Sequence, residues 1–152
     1  VKEWFDGTVI LSGAIGDGYS VASALALGAD FAYMGTRFIA TKEANADQSY
    51  KQMLIESAAD DIVLSSLFTG VSGNYLKPSI NKAGLDADNL PDADKSSMNF
   101  GSGGNTDAKA WKDIWGSGQG IGLIEDSPPV SELVERIKSE FDTAVSELQS
   151  RI

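Results

Sequence analysis

The sequence predicts an α/β fold built on a parallel sheet. Three observations carry this. Two short apolar runs, TVILSG at residues 8–13 and FAYM at 31–34, are each followed or closed by glycine, as strands covered on both faces are. Residues 19–28, YSVASALALG, lie between them and are small and apolar throughout. A helix there makes the flanking strands parallel, because a hairpin connection spans only a few residues.

Each further element follows from local pattern. Gly28 closes the first helix at the position where a left-handed cap falls. Residues 42–59 are expected to be helical, with Tyr50, Met53, Leu54 and Ala58 on one face. Residues 62–68, IVLSSLF, fit a strand or an extended segment. Residues 70–108 are rich in Gly, Pro, Asn, Asp and Ser and read as irregular with at most short helices. The stretch 100–108, FGSGGNTDA, reads as a mobile loop. Residues 128–151 form an amphipathic helix entered through Pro128 and Pro129. Its apolar stripe is Leu133, Val134, Ile137, Phe141, Val145 and Leu148.

Composition bounds the chemistry. The chain has 152 residues, 42% hydrophobic and 22% charged, with a net charge of −10. That is ordinary for a globular domain. No basic stripe exists, which argues against nucleic-acid binding, and the acidity disfavours anionic lipid. There is no cysteine and no histidine, so disulfides, thiolate nucleophiles and zinc-thiolate sites are excluded. A general base within the chain would have to be a carboxylate, Lys or Tyr. No metal site is expected. No apolar run is long enough to span a bilayer. Lys2, Glu3 and Asp6 interrupt any signal peptide, and the location expected is cytoplasmic. Two buried strands need neighbours on both sides. With no initial Met, the chain reads as part of a longer one.

The most specific chemistry lies in the glycines. Gly13-Ala14-Ile15-Gly16-Asp17-Gly18 follows the first strand and Gly35-Thr36-Arg37 the second. Ligands of parallel α/β sheets sit at the C-terminal strand ends. Glycine there lets backbone N–H groups approach an anion, and the next helix adds its positive end. The bland alternative is turn punctuation. Two such turns at successive strand ends suit one phosphate held by two loops. The spacing is not that of the Rossmann fingerprint, and no acidic residue ends the second strand to take a ribose.

The stretch from Val9 to Ala46, with Leu27-Gly28-Ala29-Asp30 and Met34-Gly35-Thr36-Arg37-Phe38 intact, resembles the last two barrel strands of nitronate monooxygenases. Phe68-Thr69-Gly70 and Trp115-Gly116-Ser117-Gly118-Gln119-Gly120-Ile121-Gly122 also look familial. The resemblance implies the C-terminal portion of an FMN-binding TIM (β/α)8 barrel with an irregular and helical C-terminal extension. Residues 1–60 would hold the last two β/α units and the FMN phosphate site, 61–127 an irregular segment with an active-site loop, and 128–152 the final helix. It implies FMN as cofactor, held at Gly13, Ala14, Gly35, Thr36 and Gln119, and oxidation of alkyl nitronates with O₂. The family's catalytic histidine precedes this stretch, so no catalytic residue is assigned here. Two departures stand out: Ala14 replaces a glycine of the turn, which still allows a backbone contact at negative φ, and Tyr19 stands where relatives often carry Arg. A flavin-dependent enoyl-acyl carrier protein reductase, another FMN barrel oxidoreductase, or a non-catalytic phosphate-binding module are the other readings.

Other residues carry weaker signals. Arg37 could meet phosphate, but an ion pair with a carboxylate such as Glu43 is the preferred reading. Gln119 lines the flavin pocket or braces a loop. Trp111 and Trp115 would pack one helix face, with substrate stacking the lesser alternative. Lys77-Pro78-Ser79 gives no specific reason for a role. The acidic run Asp86–Asp94 lacks the pattern of a calcium loop and reads as solvated.

Overall fold

In the computed structural model, residues 1–91 and 113–152 are described. They divide into two compact units, residues 1–55 with 119–152, and residues 56–118. The 100–108 loop and Trp111 lie outside the described residues.

The first unit contains the expected β–turn–α–β sequence. Strand β1 (Ile10–Ser12) pairs in parallel with β2 (Phe31–Tyr33), in the register Ile10↔Phe31, Leu11↔Ala32, Ser12↔Tyr33. Side chains alternate across the strands. Leu11 and Ala32 are half-buried, whereas Ile10, Phe31 and Tyr33 are exposed on the other face. Helix α1 (Gly18–Ala26) connects them. It ends in a Schellman motif: the Ala29 N–H donates to Ala24 O, the Gly28 N–H donates to Leu25 O, and Gly28 has φ +90°. That left-handed turn is the conformational reason for glycine there.

After β2 the chain turns directly into the short helix α2 (Thr36–Ile39). Helix α3 (Gln48–Glu56) begins later than the periodicity suggested. The cause is Asp47, whose carboxylate accepts from the Ser49 N–H and hydroxyl, giving the backbone a side-chain partner where the helix starts.

Residues 130–150 form a long helix, with Pro129 at its N-cap. Leu133 is buried, but Val134 and Leu148 are about half exposed. Val134, one residue from Leu133, falls about 100° round the helix and leaves the stripe. Pro129 offers no capping side chain. Instead both oxygens of Glu43 accept from the Val130 N–H, at 3.0 and 2.9 Å. This final helix packs along α1. Gly18 lies at the crossing, where any Cβ would meet the backbone of Ile137 and Phe141.

The second unit is more regular than its composition suggested. Strand β3 (Ile62–Ser65) pairs antiparallel with β4 (Gly73–Leu76), and α4 (Lys77–Lys82) follows at once. With α4 introduced, the helix at Val130–Ser150 is α5. Leu67, Phe68, Tyr75, Ile80, Ala87 and Ile114 form the core. The Phe68 and Tyr75 rings meet edge-on at 4.8 Å. Trp115 is buried in an extended segment rather than on a helix. Its N–H donates to Ser79 Oγ at 3.0 Å, its carbonyl accepts from Leu76 N–H at 2.8 Å, and the Lys82 ammonium lies 5.5 Å from its ring centre. Lys77-Pro78-Ser79 thus opens α4, with Ser79 tying it to the Trp115 segment. Asp86 accepts from the Asp88 N–H and from Asn89 Nδ2, and so closes a local turn.

Candidate cofactor site

Parallel pairing places the C-terminal ends of β1 and β2 side by side, with Ser12 opposite Tyr33. The two glycine turns leave from these adjacent ends. Gly13 has φ +98° and Ala14 φ +54°. The condition of a negative φ at Ala14 is therefore not met. Two successive left-handed residues reverse the chain within the turn, a conformation in which L side chains are strained. On the second strand, Gly35 is the N-cap of α2, with φ −109° and ψ −73°. Thr36 is its first helical residue and is half-buried.

Both turns border open space. A Cβ on Gly13 or Gly35 would meet no atom within 4 Å, and Gly13, Ala14 and Gly35 are solvent-exposed. A bare backbone facing open space at two adjacent strand ends is the cradle a phosphate end needs. In that respect the residues present fit the terminal phosphate of FMN.

Much of the α1 N-terminus is taken up by the protein itself. The N–H groups of Gly18, Ser20 and Val21 already have protein partners. Ser20 N–H donates to Asp17 Oδ1 at 2.7 Å, Gly16 and Asp17 N–H both donate to Ser20 Oγ at 3.1 Å, and Gly18 N–H donates to Glu140 Oε2 at 2.8 Å. Two carboxylates, Asp17 and Glu140, satisfy the positive end of this helix. Beside it stand the exposed backbone of Gly13, Ala14 and Gly35, with half-buried Thr36 next to Gly35. Tyr19 lies beyond, on the groove between α1 and α5.

Arg37 is an ion-pairing residue, as expected, but its partner is Asp126 rather than Glu43. The Arg37 side chain is 3% exposed. It donates to Asp126 Oδ1 at 2.7 Å and to the Asp126 carbonyl at 3.1 Å. Asp126 also takes two bonds from Arg136 of α5, at 3.0 and 2.7 Å. The Arg136 hydrogen bonds, then those of Arg37, hold the Asp126 carboxyl below its ordinary range, against the opposing effect of burial. Glu43 is used instead on the α5 N-terminus.

Gln119 opens a 3-10 turn, Gln119–Leu123, and is exposed. This turn returns onto the β1 turn. Ideal Cβ positions on Gly120 would lie 2.9 Å from Ala14 O, and on Gly16 3.0 Å from Leu123 Cδ1. The five residues singled out from the sequence therefore all fall in one unit. Gly13, Ala14, Gly35 and Thr36 form the two turns, and the segment beginning at Gln119 packs on one of them. Asp126 and Glu140 escape the sequence reading, and Gly120 enters it only as part of the Trp115–Gly122 run. The only signal was the glycine density of residues 116–122.

The fold is that of a known enzyme class. The chain belongs to the nitronate monooxygenase family, whose model matches residues 5–140. It is 31% identical over 147 residues to a nitronate monooxygenase of Paraburkholderia phytofirmans, and 26% identical over 155 residues to one of Neurospora crassa. Each match covers 93% of this chain and 40% of the relative, so the chain spans about two fifths of their length. Among solved structures it resembles a mutant of FabK from Thermotoga maritima, with TM-score 0.71 and 26% identity over 100% of this chain and 48% of that one. It also resembles nitroalkane oxidase from Streptomyces ansochromogenes, with TM-score 0.67 and 25% identity over 97% of this chain and 43% of that one.

Proposed function

We propose that this chain supplies the phosphate end of an FMN site in an oxidoreductase that oxidises alkyl nitronates with O₂. The observation that carries the reading is the pair of open glycine turns on adjacent parallel strand ends, in a chain of this family. Residues 1–60 then correspond to the last two β/α units of a TIM barrel. The backbone at Gly13, Ala14 and Gly35, with the Thr36 side chain, holds the phosphate, and Gln119 lies at the edge of the cofactor. When bound, the flavin supplies the electron transfer between substrate and O₂. Arg37 takes no part in neutralising the phosphate, because Asp126 claims it. The base that activates the substrate belongs to the portion of the relatives that this chain does not cover. No helix among the described residues is long and apolar enough to cross a membrane, and the proposal places the enzyme in the cytoplasm.

Gly35→Val in the intact protein tests the site. A Cβ at Gly35 meets nothing within 4 Å, so the branched side chain extends from it into the space proposed for the phosphate. The expected result is loss of bound flavin with an unchanged circular dichroism spectrum. Retention of FMN at wild-type affinity overturns the assignment. Oxygen uptake with a nitronate tests the reaction. NAD(P)H consumption with an enoyl thioester, in place of it, identifies a reductase instead. A colourless preparation that takes up no FMN leaves a non-catalytic phosphate-binding module.

A further inference from the structure

We infer that Gly120 is a positioning residue that sets the phosphate turn through Ala14, without touching the cofactor. The inference rests on the phosphate reading above. Ala14 sits at φ +54°. A residue other than glycine stays in that region only where its surroundings over-determine it. Those surroundings are the 3-10 turn at Gln119–Leu123. An ideal Cβ on Gly120 would lie 2.9, 3.0 and 3.1 Å from the O, C and Cα of Ala14. The Cα of Gly120 therefore abuts the peptide that follows Ala14. The contact is reciprocal, because a Cβ on Gly16 would lie 3.0 Å from Leu123 Cδ1 and 3.3 Å from the Gly120 carbonyl. Two backbones thus close on each other, each through a glycine.

The brace is itself anchored. Ile121 and Ile124 are buried, and Asp126, just beyond the turn, is gripped by Arg37 of α2 and Arg136 of α5. Arg37 directly follows Thr36. One ion-paired cluster therefore holds both sides of the cradle: α2 directly, and the Ala14 turn through Gly120. What the brace fixes is the direction of the peptide groups around Ala14, the ones that face a phosphate monoester.

The test compares FMN with riboflavin, which lacks the phosphate, binding to the intact apoprotein by flavin fluorescence quenching. Wild type is expected to prefer FMN. In Gly120→Ala the added methyl displaces the Ala14 peptide. FMN affinity should fall roughly 10- to 100-fold, the equivalent of one charge-assisted hydrogen bond, while riboflavin affinity stays unchanged. Adding Ala14→Gly to that variant frees the turn to readjust and should restore part of the preference. Should Gly120→Ala not fold, Leu123→Ala removes the contact on Gly16 at a half-exposed site and should lower the preference in the same direction, by a smaller factor. An unchanged FMN-to-riboflavin ratio in the variants, or an equal loss of both ligands, overturns the inference and leaves the phosphate site standing. Equal affinity of the two ligands in wild type overturns the phosphate site, and the inference with it.

Discussion

Gly18→Ala is expected to pry α5 from α1. A Cβ at Gly18 would sit 2.2 Å from Ile137 O, 2.3 Å from Phe141 N and 2.6 Å from Glu140 Cβ. The first two are backbone atoms and do not swing aside, so α5 must withdraw by roughly 1 Å or more to regain van der Waals distance. Overpacking of this kind costs about 1–3 kcal/mol. The withdrawal also stretches the 2.8 Å bond from Gly18 N–H to Glu140 Oε2, and a hydrogen bond to a charged acceptor contributes about 1.5–3 kcal/mol. Water recovers part of that on the half-buried Glu140 side, and the better helix propensity of Ala returns up to about 1 kcal/mol. The net expectation is a loss of about 2–4 kcal/mol by these terms. Urea unfolding of the intact protein, followed by circular dichroism and by amide exchange in α5, measures it. Glu140→Gln keeps the shape and an acceptor, and should cost under about 1 kcal/mol, the worth of a neutral bond. If Gly18→Ala matches wild type within about 0.5 kcal/mol, the range of a neutral surface change, the close crossing is refuted.

Four further outcomes follow from other contacts. Asp126→Ala leaves the buried Arg37 with backbone acceptors alone and should destabilise by about 1–3 kcal/mol, below the full cost of breaking a buried pair because Asp126 is partly exposed. Because the folded protein depresses the Asp126 carboxyl, its contribution is complete above the unfolded carboxylate range and vanishes as pH falls through the lowered value. Asp126→Asn should flatten that acid limb of a stability–pH profile. Ala14→Gly relieves a left-handed alanine and should stabilise by up to about 1 kcal/mol after the entropy gained by the unfolded chain, seen as a higher urea midpoint. Ser79→Ala removes the acceptor of the Trp115 N–H and the donor to Leu76 O; thermal melting should show a loss of about 1–3 kcal/mol.

The parts of this fold legible in the sequence are those written locally. The run from β1 through α1 to β2 depends on residues within a few positions of one another, and glycine marks both ends of its helix. The leucine, isoleucine and phenylalanine spacing of α5 is equally local. Strand β4 escaped notice because Gly73-Asn74-Tyr75-Leu76 has no alternation, and its identity comes from pairing with β3. Asp47 delays α3 by a cap that periodicity does not register. The candidate site divides the same way. Its glycines announce themselves, but the partners of the turn do not. Glu43 lay near Arg37 in sequence and was the natural choice, yet Asp126 is the residue that reaches it. Glu140 on Gly18 and Gly120 on Ala14 are likewise contacts that no short window contains.

The separation of those partners has a consequence for the order in which the site is completed during synthesis. Gly18 and Glu140 are 122 residues apart. At the pace of translation, about 5–20 residues per second, roughly 6–24 s pass between the two leaving the ribosome's catalytic centre. Until α5 is made the N–H of Gly18 lacks its carboxylate, and the turn that carries Gly120 lacks the Arg136 end of its ion-paired anchor. The turn at Gly13–Ala14 is among the first parts of this stretch to be made, and among the last to acquire its final shape. On the proposed phosphate reading, flavin binding through that turn waits on the final helix, and a ribosome stalled before α5 holds a nascent chain with both glycine loops but without the contacts that fix them.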